Sequence, residues 1–150
     1  MSAFIWKETR YNLFIHKWGI AIILKAGYKI LAEMENRQDV IKIAEDLYFY
    51  PSLQSWPKSQ QLIEEEILCL CEGLKLVCED ILKAVRNRPC LITLQTIHFS
   101  ACNIQNEAFT ACAIQWASEI FGFPMPEVKV AFDSTEPPYG RYIYDFSNKL

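Results

Sequence analysis

The six cysteines and two histidines of this chain are its candidates for metal binding and nucleophilic catalysis. Cys90 and His98 stand eight positions apart in a predicted strand. An extended strand separates such residues by about 26 Å, which is too far for both to bind one ion. His98 and Cys102 are close enough for a metal site, or for a Cys–His pair near a helix start. Most of the cysteines, however, lie in apolar segments, where a free thiol is typically buried. We therefore predict reduced cysteines, no metal, no cofactor and no catalytic residue.

Carboxylates form the second chemical feature, and they are concentrated in the middle of the chain. Residues 33–80 carry 11 acids and 4 bases, a net charge of −7, whereas residues 1–32 carry a net charge of +4. Acidic residues at the start of a helix also stabilise it through its dipole, and these charges could neutralise the basic N-terminal segment. An acidic helical face is nevertheless typical of a surface that binds a basic protein. We predict such a surface at Glu64, Glu65, Glu72 and Glu79.

Aromatic side chains with polar groups form the third feature. They are concentrated in a predicted loop from Tyr48 to Trp56 and in the last predicted hairpin. Such side chains anchor many protein interfaces, although they also line the edges of cores. We predict that four residues from these segments contribute to partner binding: Tyr50, Trp56, Tyr139 and Arg141.

Length and composition limit the classes of protein to which the chain can belong. Its 150 residues suit one domain, and 51% hydrophobic residues are enough for a core, which excludes a disordered chain. A net charge of −3 argues against a nucleic-acid partner. The apolar run Trp18–Leu24 is far shorter than the roughly 20 residues of a membrane span, and no leader cleavage site follows it. We therefore predict a cytoplasmic protein that binds neither nucleic acid nor membrane.

The longest predicted element is a helix from Pro57 to Arg88, which would carry the four glutamates. Its apolar residues recur in alternating steps of four and three, the spacing of a broad buried face; they are Ile63, Ile67, Leu70, Leu74, Val77 and Ile81. Gly73 either weakens this helix by about 1 kcal/mol relative to Ala or marks a close contact with another helix.

A second predicted helix runs from Gln105 to Phe121, with Asn103 as its N-cap and Gly122 as its end. Trp116 lies in the middle of its apolar stripe. We expect Trp116 to lie in the central core, where the strand residues Val130 and Phe132 could meet it.

Three segments around this second helix alternate in hydrophobicity and are predicted strands: 91–99, 127–133 and 141–146. They make the C-terminal half β-α-β-β. The helix is long enough to form a crossover, so the first two strands could pair in parallel.

The N-terminal half is predicted to be helical. The segment Trp18–Met34 has helically spaced apolar residues that Gly19 and Gly27 interrupt, and Asp39 can cap a further short helix. The segment Phe4–Ile15 fits a strand or a helix. The sequence therefore predicts one α+β domain over residues 1–150, with a helical N-terminal half packed on a small C-terminal β-α-β-β sheet.

Residues 92–146 contain a strand that ends in HFSACN, the helix EAFTACAIQWASEIFGF and two closing strands, EVKVAFD and RYIYDF. In this combination the stretch resembles the C-terminal half of small bacterial immunity proteins, the cytoplasmic inhibitors that accompany polymorphic and contact-dependent growth-inhibition toxins. The resemblance covers roughly a third of the chain and includes no chemical motif. It implies a protein partner, a toxin that is often a nuclease with a basic active-site cleft, and it transfers no site residues.

We therefore expect a non-enzymatic protein that binds a cognate toxin and occludes its active site or substrate path. One alternative is a small-molecule-binding domain or an enzyme with a cavity between sheet and helices. Another is a structural oligomer in which the long helix pairs with itself. An enzyme should bring several titratable groups together in one pocket, whereas an inhibitor should present an open acidic and aromatic surface.

Overall fold

The computed structural model describes residues 4–32, 39–51, 62–100, 103–137 and 140–147. Seven strands fall in these ranges: β1 (Ile5–His16), β2 (Trp18–Ile30), β3 (Ile41–Ala44), β4 (Leu47–Tyr50), β5 (Cys90–Phe99), β6 (Lys129–Asp133) and β7 (Arg141–Asp145). The same ranges contain three helices: α1 (Glu64–Leu76), α2 (Cys78–Ala84) and α3 (Asn106–Phe121). The first five strands form one sheet in the order β1-β2-β5-β4-β3, and β6 and β7 form a separate hairpin.

The parallel strand pair differs from the predicted one. Within the five-stranded sheet only β4 and β5 run parallel, and the chain between them contains α1 and α2. Those two helices are therefore the crossover that a parallel pair requires. The predicted parallel pairing across α3 is wrong, because β5 pairs with β2 and β4 while β6 pairs with β7. A sequence with two long helices allows either one to be the crossover.

The predicted helical N-terminal half is wrong, since four of the five sheet strands lie there and the helices lie later in the chain. In β2 the buried residues alternate, which is the two-residue period of a strand; they include Ile20, Ile22, Leu24 and Ala26. Apolar residues on the other face, such as Ala21 and Ile23, hide this period, because a continuous apolar run fits a helix equally well.

The two glycines of β2, Gly19 and Gly27, make room for aromatic side chains of the neighbouring strand β1. Gly27 lies directly opposite Trp6 of β1, and Gly19 lies opposite Phe14. A Cβ at Gly27 would stand 2.5 Å from Trp6 Cε3, and one at Gly19 would stand 2.6 Å from Phe14 Cδ2. Each aromatic ring therefore occupies the space that a side chain would fill, an arrangement known to stabilise sheet glycines.

The short helix predicted after Asp39 is also wrong, because this segment forms the β3–β4 hairpin. The chain reverses at Glu45 and Asp46, and Asp46 has a left-handed φ of 66°. Aspartate tolerates this conformation better than most residues, which suits it to a tight turn. The segment Phe4–Ile15, which fitted either structure, contains β1.

The long helix is confirmed in part. The described chain is helical from Glu64, but Val77 has φ −115° and ψ 18° and divides the segment into α1 and α2. Pro57 lies outside the described residues. The predicted apolar stripe is buried from Ile67 onwards, whereas Ile63 is 58% exposed. A Cβ at Gly73 would overlap the carbonyl oxygen of Thr110 on α3, so the glycine marks a close helix contact.

The second helix and its tryptophan are confirmed. The helix α3 ends at Gly122 as predicted, although its N-cap is Gln105 instead of Asn103. Trp116 is 1% exposed, and its indole N–H donates to the carbonyls of Lys7 at 3.2 Å and Ala26 at 3.3 Å. It therefore packs over β1 and β2, while Phe132, its expected neighbour, packs against Trp18 and Tyr142.

We predict that Trp116→Ala lowers the free energy of unfolding by about 3–5 kcal/mol. The substitution leaves a cavity in the core and removes the N–H that donates to the Lys7 and Ala26 carbonyls. The stability of Trp116→Phe should lie between those of the alanine variant and the parent, since it keeps one aromatic ring but loses the N–H donor and part of the buried volume. Denaturant titration measures both variants. An alanine variant as stable as the parent would show that α3 covers the sheet without depending on Trp116.

Candidate functional site

The four predicted glutamates are exposed on α1 and α2. Glu65 and Glu72 are seven residues apart, so they lie on one side of α1; Glu79 follows at the same spacing on α2, beyond the break at Val77. Leu68 lies between Glu65 and Glu72 and is 57% exposed, and several other large apolar side chains among the described residues are exposed as well. We call this surface the acidic face; its residues are Glu64, Glu65, Leu68, Glu72 and Glu79.

The carboxylates of the acidic face form no close ion pair within the described part of the chain. None of its four carboxylates forms an ion pair with another described residue, and Glu65 Oε2 only accepts a long hydrogen bond of 3.4 Å from Asn106 Nδ2. Glu66 is different, because its carboxylate accepts the Ile63 backbone N–H at 2.9 Å and caps the start of α1. The acidic face therefore combines four available charges with one apolar side chain.

The other predicted site residues that the structure describes lie on other elements than the acidic face. Arg141 nevertheless comes near it, because its ion-pair partner Glu107 is adjacent to Asn106, which contacts Glu65. Tyr50 belongs to β4, so the predicted aromatic loop is a strand as far as this residue. Phe49 packs in the core under the helices, and strand alternation places Tyr50 on the opposite sheet face. Arg141 lies at the start of β7, where its guanidinium forms a 2.7 Å ion pair with Glu107. Trp56 and Tyr139 lie outside the described residues.

Three tyrosines meet where the hairpin packs on the main sheet. The hydroxyls of Tyr11 and Tyr144 are 2.9 Å apart. The Tyr142 hydroxyl donates to the Trp18 carbonyl at 2.5 Å and accepts the Ile15 N–H at 3.0 Å. Burial raises the pKa of both Tyr11 and Tyr144.

This tyrosine cluster holds the hairpin against β1 and β2. Tyr142 is completely buried, so it does not anchor a partner. The prediction missed this role, because the partners are more than 120 residues away in sequence. The only local signal was the alternation of Tyr142 and Tyr144 in the last strand.

Three of the described cysteines, Cys71, Cys90 and Cys112, lack the lowered pKa of a nucleophilic thiol. Burial raises the pKa of Cys90 and Cys112 to about 12 and that of Cys71 to about 11, so all three thiols are protonated at neutral pH. Among the described residues no three His, Cys, Asp or Glu side chains are grouped to hold a metal ion. Cys102, the other half of the His98 pair, lies outside these ranges.

A small cavity lies between the sheet and the helices, the position that a ligand-binding domain would use. Its volume is about 10 Å³, and its lining includes Leu24, Ile92, Leu94 and Trp116. This volume matches about one water molecule, and the lining offers no polar group to orient a ligand. The cavity therefore has no room for a small-molecule substrate.

We predict that Cys90 and Cys112 resist alkylation by iodoacetamide at neutral pH in the folded protein, because the thiolate is the reactive form. Both should react fully in denaturant. Mass spectrometry of the digested protein measures the modification of each residue. Fast labelling of either thiol under native conditions would contradict their burial.

Comparison with known proteins does not assign the chain to a family. With respect to membranes, none of the helices in the described ranges has the length and apolar character needed to cross one. No protein-family model, curated protein or solved structure matches the chain.

Proposed function

We propose that this chain is an immunity protein that binds a basic protein toxin in the cytoplasm and blocks its active site or substrate path. The observation that carries the proposal is the acidic face, where Glu64, Glu65 and Glu72, which form no ion pair with another described residue, flank the exposed side chain of Leu68. Such a surface complements the basic cleft of an enzyme that acts on nucleic acid.

The two kinds of side chain on the acidic face have different physical roles in this proposal. Exposed carboxylates contribute little to folding, typically below about 1 kcal/mol each. Against a basic partner they act together, speed the encounter and disfavour wrong partners. Leu68 supplies apolar area, and fully burying a leucine side chain contributes about 1.5–3 kcal/mol.

The resemblance of residues 92–146 to immunity proteins supplies the class of partner. The strand, helix and hairpin predicted there correspond to β5, α3 and the β6–β7 hairpin. In this chain α3 supports the acidic face from behind, because it packs directly against α1.

We predict that Glu65→Lys combined with Glu72→Lys keeps the fold and weakens binding to the cognate toxin, more at low salt than at high salt. The first partner to test is the product of the adjacent upstream gene. Growth rescue on co-expression measures neutralisation of the toxin, and calorimetry at two salt concentrations measures the binding affinity. The matched control is Glu127→Lys with Glu136→Lys, which changes the net charge equally at two exposed positions outside the acidic face.

Leu68→Ala provides a second, independent prediction. It should weaken binding by a similar factor at both salt concentrations, because apolar contacts are not screened by ions. If the partner binds the Glu65/Glu72 variant and the Leu68 variant as tightly as the parent, the acidic face is only a solvated helix surface.

A further inference from the structure

The strand β1 ends the five-stranded sheet, and no described strand pairs with its outer edge. The Trp116 indole contacts the carbonyls of Lys7 and Ala26 together, so the Lys7 carbonyl lies between β1 and β2. Peptide groups alternate in direction along a strand, so those of Glu8 and Arg10 point to the outer edge. The Arg10 carbonyl accepts a hydrogen bond from the side-chain amide of the half-buried Gln115 on α3.

This alternation restricts how a second copy of β1 can pair with the first around a two-fold axis. An antiparallel ladder requires outward-pointing residues to meet outward-pointing residues. An axis at Glu8 places Glu8 opposite Glu8 of the copy, and an axis at Arg10 places two arginines opposite each other. Like charges directly opposite are destabilising. An axis at Thr9 places Glu8 opposite Arg10 of the copy, and this pair occurs twice.

We propose that two copies of this chain pair through β1, antiparallel and centred on Thr9, to form a continuous ten-stranded sheet. The paired residues run from Ile5 to Leu13 of each copy. Just beyond this overlap, Phe4 of one copy lies opposite Phe14 of the other. The overlap ends before Ile15, whose N–H is already bonded to Tyr142. The Gln115 amide does not block the ladder, because a carbonyl oxygen has two lone pairs.

The charges that favour this pairing are available on the surface. Glu8 and Arg10 lie on the same sheet face, with side chains 49% and 65% exposed. Within one chain, a guanidinium nitrogen of Arg10 is 3.6 Å from a carboxylate oxygen of Glu8. Exposed edge strands usually carry charges that prevent unwanted pairing. Of the three registers centred on Glu8, Thr9 and Arg10, only the one centred on Thr9 places both Glu8 and Arg10 opposite a residue of opposite charge, so the same two residues disfavour the other two registers and favour this one.

The inference does not depend on the proposed function. The helix α1 contacts β3, which is at the opposite end of the sheet from β1. A dimer formed at β1 therefore leaves both acidic faces accessible.

The test is sedimentation velocity over a concentration series with three charge variants. The parent should dimerise. Glu8→Arg alone and Arg10→Glu alone should each weaken dimerisation by about tenfold or more, because two attractive pairs become repulsive. The double variant Glu8→Arg/Arg10→Glu should recover the parent affinity. An equimolar mixture of the two single variants should form a heterodimer, since one chain then carries two arginines and the other two glutamates at the facing positions.

Circular dichroism establishes that each variant is folded, as expected for two exposed positions. A parent that stays monomeric at every concentration would overturn the proposal. So would a dimer that is indifferent to the single reversals, because it would use another surface. A dimer that the single reversals disrupt but the double variant does not restore would exclude the register centred on Thr9.

Discussion

The close contact between α1 and α3 at Gly73 determines which side of α1 faces the solvent. A larger residue would overlap the Thr110 carbonyl, and the Thr110 hydroxyl donates to the Cys69 carbonyl at 2.9 Å. These contacts fix the rotation of α1 about its axis, so that Leu70 and Leu74 point into the core. Residues on the far side of the helix, Glu65 and Leu68 among them, must then be exposed. The acidic face thus follows from the packing that closes the core.

The sequence predicted those elements whose signal is local. Helix α3 has a regular apolar stripe and a glycine stop, and β5 to β7 have alternating residues between clear turns. Of the N-terminal strands, β2 to β4 were missed and β1 was not distinguished from a helix, because their signal is not local. In β2 the apolar residues on both faces imitate a helix, and the meaning of Gly27 depends on Trp6, which stands on another strand. The same ambiguity turned the β3–β4 hairpin into a predicted helix, since four-residue strands carry little periodicity.

In the candidate site, too, the features with a local sequence signal were predicted and those that depend on long-range contacts were not. The exposure of the glutamates follows from helical spacing, and all four are exposed in the structure, three of them on α1 and Glu79 on α2. The relation of the glutamates to Tyr50 and Arg141 depends on tertiary contacts: Tyr50 lies on β4, whereas Arg141 pairs with Glu107, the neighbour of the Asn106 that contacts Glu65. Two long-range features were not predictable from spacing: the tyrosine cluster that holds the hairpin, and the outward peptide groups of β1. The molecule therefore presents two distinct surfaces, an acidic one on α1 and a strand edge at the other end of the sheet.

The most direct test of the acidic face is site-specific photocrosslinking to the product of the adjacent upstream gene. A photoreactive benzoylphenylalanine replaces Leu68 in one variant and Ile143 in another; both side chains are exposed, by 57% and 47%, and lie on α1 and β7 respectively. The account predicts a covalent adduct with the toxin from position 68 and none from position 143. An adduct from position 143 alone would contradict it and assign partner binding to the hairpin.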